Sequence, residues 1–234
     1  MNLIDLYPDI YSNPAKWYGK RSDFQNDEEL TEMTVTAVNS GSASVIDTAA
    51  TGNYGVCVVT GAATTDDSGA NIQDDAFTFS FAANRTTLFS AKFQAADITQ
   101  CDVAAGLIVS DTSIVAGTTT GIFFRKDDGD ANLDFFAETN DVTVVEAAAI
   151  KALSNATDYT VTFVFIGGTT AGSGTLYVYV NEVLLVEGVT STNWPSSATY
   201  ALARSFAFQS GNNSGTHTCN LDFIEAWQSR EQVN

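Results

Sequence analysis

Two acidic side chains, Asp134 and Glu138, form the best candidate pair for acid–base chemistry in this sequence. They stand four positions apart, and because side chains alternate along a strand, both should lie on one face with Phe136 between them. Hydrolysis of a glycosidic bond needs two carboxyl groups aimed at the same bond. Acids are common on the solvent side of a sheet, so we interpret this pair as a solvated strand face.

A second acidic run, from Asp128 to Asp134, places oxygen ligands at alternate positions and superficially matches a calcium loop. The run lacks the glycine at position six and the glutamate at position twelve that such a loop requires. Apolar runs flank it on both sides and predict a polar hairpin turn between two strands. We therefore predict no metal and no cofactor. The only histidine, His217, is interpreted as a surface or interfacial residue.

Most of the chain from about Val45 alternates apolar and polar residues with a period of two, which predicts strands. Turn signals such as Asn181-Glu182 separate the runs. About a dozen short strands predict an all-β fold, an antiparallel jelly-roll β-sandwich. One patch from Val145 to Leu153 favours a short helix. The clearest alternating runs are Phe77/Phe79/Phe81, Phe89/Ala91/Phe93, Val161/Phe163/Phe165 and Leu176/Val178/Val180.

Residues 1–30 differ from the rest, since they combine two prolines with aromatic and basic residues and follow neither period. Proline fixes φ and favours extended neighbours, so we predict an extended N-terminal arm, followed by a sandwich domain over residues 31–234. Aromatic residues and arginine are enriched at interfaces. The arm packs either on its own domain or on a neighbouring subunit, and its candidate partner-binding residues are Tyr7, Tyr11, Lys16, Trp17, Tyr18, Lys20, Arg21 and Phe24.

The composition excludes several classes of partner. The chain has 234 residues, of which 16% are charged, and its net charge is −18. Such a charge repels nucleic acid and anionic membrane surfaces. No apolar stretch is long enough for a spanning helix, and the first residues lack the pattern of a secretory signal. The cysteines, Cys57, Cys101 and Cys219, are widely spaced and odd in number, which predicts buried free thiols.

Three aromatic residues are candidates for stacking on sugar rings. Trp194 stands before a proline, and Tyr177 and Tyr179 share one face of a predicted strand. Trp194 could instead anchor a loop, and the tyrosines could be covered by the arm or by a neighbouring subunit. The Glu-x-Asp-x-Glu motif that β-glucanases of this architecture carry on one strand is missing, so the sequence argues against an enzyme.

Several runs together resemble a known family. They are Leu6-Tyr-Pro-Asp-Ile-Tyr11, Gly121-Ile-Phe-Phe-Arg-Lys126 and the closing Thr218-Cys-Asn-Leu-Asp-Phe-Ile-Glu-Ala-Trp-Gln-Ser-Arg230. The chain resembles the concanavalin/laminin-G-like jelly-roll proteins encoded among the head genes of tailed bacteriophages. This resemblance implies a capsid decoration (cement) protein, usually a trimer on the outer shell with arms that reach neighbouring subunits.

The expected function is therefore that of a non-enzymatic structural virion protein. Its partners would be the major capsid protein and further copies of itself in a homotrimer. It would lie on the outer capsid surface after assembly in the cytoplasm of a host bacterium. The alternative is a carbohydrate-binding or adhesin module on the virion surface or tail, which would use Trp194, Tyr177 and Tyr179.

Overall fold

The computed structural model describes residues 7–25, 27–48, 53–196, 200–211 and 216–230. Two antiparallel sheets face each other and form a jelly-roll β-sandwich, which confirms the predicted fold class. Helical structure in the described part of the chain is limited to α1 (Asp27–Thr31), α2 (Ile114–Gly117) and one turn of 3₁₀ helix (Ile98–Gln100).

The first sheet, sheet A, has eight strands, and its order is β13-β12-β11-β6-β15-β4-β3 with β1 also paired to β15. Its strands are β1 (Trp17–Ser22), β3 (Ser42–Thr48), β4 (Asn53–Thr60), β6 (Thr86–Ala95), β11 (Tyr159–Gly167), β12 (Gly174–Val180), β13 (Val183–Ser191) and β15 (Thr218–Ser229).

The second sheet, sheet B, has seven strands in the order β10-β9-β8-β7-β14-β5-β2. Its strands are β2 (Met33–Val38), β5 (Ser68–Phe79), β7 (Cys101–Val109), β8 (Gly121–Lys126), β9 (Asn132–Thr139), β10 (Val142–Ala152) and β14 (Leu202–Ser210). Strands β10 and β13 are thus the outermost strands on one side of the two sheets.

The core between the sheets is built from the predicted alternating residues. Phe163 of sheet A stacks on Phe89 at 5.4 Å between ring centroids and meets Phe135 of sheet B edge-on at 6.3 Å. The rings of Phe93 and Phe206 also join the two sheets, in a tilted arrangement with 6.1 Å between their centroids. Such contacts add to the free energy that burial of the rings provides. The side chain of Phe77, which begins one predicted run, lies outside the described residues.

The patch from Val145 to Leu153 is not helical, and this expectation from the sequence is wrong. Residues 142–152 form strand β10, which pairs with β9 through two register shifts. Alanine has the highest helix propensity of any residue, but this preference is worth only a fraction of a kcal/mol per residue, and pairing with an adjacent strand outweighs it. Ala149 has a φ of 52°, which marks the irregular part of the strand.

The described part of the predicted arm lies on its own domain. Residues 17–22 pair with residues 224–229 of β15 as a strand of sheet A. Trp17 and Phe24 are buried, because Trp17 packs with Ile10 on the outer face of sheet A while Phe24 enters the core. The structure therefore favours the alternative in which this segment packs on its own sandwich. The division of the chain at residue 30 stays a prediction.

A polar groove as the candidate functional site

The Trp194 side chain is an anchor for the loop that follows β13 and does not form an exposed platform. It is 2% exposed and meets Phe165 edge-on at 5.6 Å. Its backbone N–H donates to the carbonyl of Gly172 and its Nε1–H to the carbonyl of Gly174, both at 3.2 Å. Since stacking requires an open ring face, the structure favours the alternative in which Trp194 anchors a loop, and its role in sugar binding stays a prediction.

The loop that Trp194 anchors forms one wall of a cavity of about 450 Å³. The cavity lies where β9 turns into β10 and where β13 ends. Its lining consists mainly of residues with hydroxyl and amide side chains, together with two valines, Trp194 and Tyr200. The residues are Thr139, Val142, Thr143, Val144, Ser191, Thr192, Asn193, Trp194, Ser196 and Tyr200.

A second cavity of about 580 Å³ adjoins the first and shares Ser191 and Thr192 with it. It lies between the β11–β12 turn and the end of β13. Its lining residues are Gly168, Thr169, Ser173, Gly174, Thr175, Thr190, Ser191 and Thr192. We refer to the two cavities together as the polar groove.

Hydrogen bonds from both sheets hold the walls of the polar groove in place. The Thr139 hydroxyl donates to the carbonyl of Asn193 at 3.1 Å, and the Asn193 N–H donates to Oγ of Ser191 at 3.1 Å. On the opposite side, the Asn140 amide donates to the hydroxyl of Tyr200 at 2.6 Å. A site fixed in this way loses little conformational entropy when it binds a ligand.

No charged side chain is among the described residues that line the polar groove. This is notable because 28 of the 234 residues are acidic. Both cavities fall within the size range of small-molecule sites, which place a few polar groups beside apolar and aromatic surface. The groove can therefore exchange neutral hydrogen bonds with a polyhydroxylated ligand. The run Thr190-Ser-Thr-Asn193 supplies four of its lining residues, but serine and threonine are too frequent in this sequence for such a run to mark a site.

The predicted pair Tyr177 and Tyr179 lies on the outer face of sheet A and is not among the residues that line the polar groove. Both side chains are half-buried and pack in a cluster with Ile10, Trp17 and Tyr7 of the amino-terminal segment. Coverage by that segment was one of the alternatives raised from the sequence. The structure therefore does not bring the tyrosines together with Trp194.

The basic residues of the amino-terminal segment are paired with acids of the same chain. Lys16 bonds Asp9 at 3.0 Å, and Lys20 forms an ion pair with Glu32. The remaining basic side chain of the segment, Arg21, contacts Asp23 at 2.6 Å and lies over the ring of Phe223 at 4.0 Å. These cations are thus partly neutralised within the domain, and contact with a partner stays a prediction.

The aromatic residues of this segment are distributed between the core and the surface. Tyr18 packs against Phe79 at 5.7 Å, and Phe24 is fully buried. Tyr11 is 43% exposed, and its hydroxyl donates to Oε2 of Glu225 at 2.6 Å. Burial raises the pKa of the Glu225 carboxyl, although its hydrogen bonds with Tyr11 and Trp227 lower it.

The acidic pair Asp134 and Glu138 lies on the outer face of sheet B, since the residues between them alternate as predicted. The guanidinium of Arg125 lies over the ring of Phe136 at 4.4 Å, on the same face. Asp134 accepts a hydrogen bond from the Ala149 N–H at 2.6 Å. Burial raises the pKa of Glu138, and Arg125 opposes that shift.

The run from Asp128 to Asp134 contains the predicted hairpin turn between β8 and β9. Asp130 accepts hydrogen bonds from both nitrogens of Asn132, at 2.9 Å from N and 2.7 Å from Nδ2. The Asp128 N–H donates to Oδ1 of Asp102 at 2.7 Å. Within the described residues, no group of three or more His, Cys, Asp or Glu side chains could hold a metal ion.

The buried Asp102 at this turn makes stability depend on pH. Burial raises its pKa from 3.8 to about 6, against the lowering effects of the Asp128 N–H and Lys126. Because the pKa of this carboxyl is higher in the folded state than in the unfolded state, the group stabilises the fold. This stabilisation is complete at a pH below the pKa of the unfolded state and is lost as the pH rises through about 6. Urea denaturation measures the free energy of unfolding of the wild type and of Asp102→Asn. The value for the wild type minus that for the variant should decrease between about pH 4 and about pH 7. A difference that stays constant over this range would contradict the assignment.

The three cysteines are free and buried, as the sequence predicts. Burial raises the pKa of Cys57 and of Cys101 to about 12 and that of Cys219 well above its ordinary value. The thiolate is the reactive form, so these side chains are poor nucleophiles. No helix in the described part of the chain has the length and hydrophobicity needed to cross a membrane.

Comparison with known proteins identifies the fold of the chain but does not assign the chain to a family. No family model matches the chain, and no curated protein matches its sequence. A protein of unknown function from Shewanella oneidensis MR-1 is 15% identical, with a TM-score of 0.60 over 99% of this chain and 95% of the other. The carbohydrate recognition domain of Emp46p, in its potassium-bound form, is 8% identical, with a TM-score of 0.58 over 88% and 94%.

A third similar structure corrects the sequence analysis. The endo-1,3-beta-glucanase from Streptomyces sioyaensis is 11% identical and has a TM-score of 0.62 over 93% of this chain and 98% of the other. The exclusion of an enzyme from the sequence is therefore wrong, because this fold includes a hydrolase that matches nearly the whole chain. The chain has the concanavalin- and lectin-like jelly-roll fold, and the comparisons do not show a capsid decoration protein.

Proposed function

We propose that this chain is a carbohydrate-binding β-sandwich that holds a neutral saccharide in the polar groove. The observation that carries the proposal is the uncharged lining of hydroxyl and amide groups beside Tyr200. Sugars present hydroxyl groups around a ring with apolar faces, so they match such a lining. The Emp46p domain, which is named for carbohydrate recognition, supports the proposal at the level of the fold.

The proposal is tested by blocking the groove at Thr192, which lines both cavities and is exposed. We expect the wild type to bind one or more neutral glycans on a glycan array. Thr192→Arg should weaken that binding at least about tenfold in calorimetry, because its side chain fills the space of the ligand. Thr157→Arg is the matched control, since Thr157 is also exposed but precedes β11, at the opposite end of that strand from the β11–β12 turn.

Two results would contradict the proposal. One is the absence of binding to every neutral glycan on the array. The other is equal binding by the wild type and Thr192→Arg. The same samples should be assayed for new reducing ends, because the fold also occurs in a glucanase. Hydrolysis by the wild type that Glu138→Gln abolishes would place the function on the outer face of sheet B instead.

The capsid decoration role stays a prediction from the sequence resemblance, as do the major capsid protein as partner, the homotrimer and the position on a virion. Of the predicted arm residues, Trp17 and Phe24 are buried in the domain. Tyr11 and Lys16 are exposed and would be the first contacts available to a capsid surface. Binding of a glycan in the polar groove is compatible with that location.

A further inference from the structure

We infer that the polar groove binds a linear, neutral oligosaccharide that extends through both cavities, rather than a single terminal sugar. This inference rests on the proposed function and specifies its ligand. It starts from the adjacency of the two cavities, because Ser191 at the end of β13 and the following Thr192 line both of them. A ligand seated in one cavity therefore reaches the other by passing over these two residues.

The two cavities offer different contacts to successive sugar units. The first holds Tyr200, whose ring can contact the apolar face of a sugar. The second has no aromatic side chain among its lining residues and presents threonine hydroxyls, among them Thr175 and Thr190. These two threonines are cross-strand partners on β12 and β13, so the strand pairing sets their spacing. One unit would be held at the aromatic end and the following units by hydrogen bonds.

Close packing of the backbone shapes the second cavity. A side chain at Gly174 would collide with the ring of Phe165, and one at Gly168 would collide with Oγ of Ser173. The Ser173 hydroxyl in turn donates to the carbonyl of Thr170 at 2.6 Å, which holds the β11–β12 turn together. These contacts hold the second cavity in a fixed shape, so we infer that it is preformed before a ligand binds.

The distribution of charge on the protein favours an uncharged oligosaccharide as the ligand. Among the residues that the structure describes, no cationic side chain lines either cavity to pair with a carboxylate or sulfate group. The net charge of −18 would repel a polyanionic glycan as it approached. An uncharged oligosaccharide meets neither obstacle, because its recognition depends on neutral hydrogen bonds and ring contacts.

The test measures how affinity depends on the number of sugar units in a neutral oligosaccharide. The linkage used is the one that binds best on the glycan array. Calorimetry with oligosaccharides from one to about six units should show affinity that rises at least about tenfold and then levels off once both cavities are filled. Thr190→Arg blocks only the second cavity and should reduce the affinity for the longest oligosaccharide to that for the shortest. Thr143→Arg blocks only the first cavity and should weaken binding of every length. Thr157→Arg should leave the whole series unchanged.

The outcomes separate this inference from the proposed function. Affinity independent of length, or a Thr190→Arg variant that binds the longest oligosaccharide normally, would overturn the two-cavity ligand and leave carbohydrate binding intact. Tighter binding of a polyuronate than of the neutral series would overturn the neutral class. Failure to bind any neutral sugar would contradict the proposed function itself.

Discussion

Replacement of Arg204 by methionine should destabilise the domain by about 3–5 kcal/mol, because it leaves the carboxylate of Asp74 buried without its partner. Arg204 and Asp74 have side-chain exposures of 0% and 2%, and Nε of the arginine lies 2.6 Å from Oδ2 of the acid. The cost of an uncompensated buried charge exceeds that of the lost hydrogen bonds alone.

The Arg204 side chain also joins the two sheets. From β14 of sheet B, its Nη1 donates to the carbonyl of Ile224 on β15 at 3.1 Å and to that of Lys20 on β1 at 3.2 Å. The same nitrogen lies 3.3 Å from Oγ of Ser22. Loss of the guanidinium would therefore leave acceptors unpaired on the amino-terminal strand as well as on Asp74.

Chemical denaturation should show the effect as a lower midpoint in Arg204→Met. The double variant Arg204→Met/Asp74→Leu should recover much of the loss, since it removes the buried charge together with its partner. Lys16→Met is the control for an exposed pair, and its ion pair with Asp9 should change stability by no more than about 1 kcal/mol. Equal effects of Arg204→Met and Lys16→Met would show that the buried pair contributes little.

Trp194→Ala should lower the free energy of unfolding by about 3–5 kcal/mol, which is the cost of truncating a large buried aromatic residue. The indole is 2% exposed, and its loss removes the contact with Phe165 and the hydrogen bond to Gly174. Thermal and denaturant unfolding of Trp194→Ala and Trp194→Phe would measure the effect. The phenylalanine variant should retain more of the ring contact and so more of the stability.

Thr192→Ala is the matched control for Trp194→Ala, since Thr192 lies in the same loop but is exposed. Its stability should stay within about 0.5 kcal/mol of the wild type. A Trp194→Ala protein as stable as the wild type would contradict the anchoring role. Loss of sugar binding in Trp194→Ala would not identify a contact with the sugar, because the same change disturbs the loop that forms the groove.

The sandwich could be predicted from the sequence because several of its strands alternate apolar and polar residues with a period of two. Runs such as Val161/Phe163/Phe165 place every second residue in the core, and no helix can bury that pattern on one face. The prediction was wrong at residues 145–153, where local preference was the only available signal. There the pairing of β10 with β9 decides the structure, and the residues of β9 lie outside the window whose composition favoured a helix.

The polar groove could not be predicted from the sequence for a related reason. Its walls come from the β9–β10 turn, the β11–β12 turn and the loop after β13, which are separate along the chain. Serine and threonine are frequent throughout this sequence, so no single run stands out until the fold brings them together. Trp194 was chosen as a candidate by residue type alone, and residue type does not reveal which aromatic rings remain open to solvent.

The pairing of β1 with β15 has a consequence for biosynthesis. Tyr11 and its partner Glu225 are separated by 214 positions, so the amino-terminal segment leaves the ribosome long before its docking surface exists. Until then Trp17 and Phe24, which the finished domain buries, are accessible to solvent and to chaperones. Closing so long a loop is slow compared with forming a hairpin. We therefore expect this segment to dock only after the last strand of the sandwich has been synthesised.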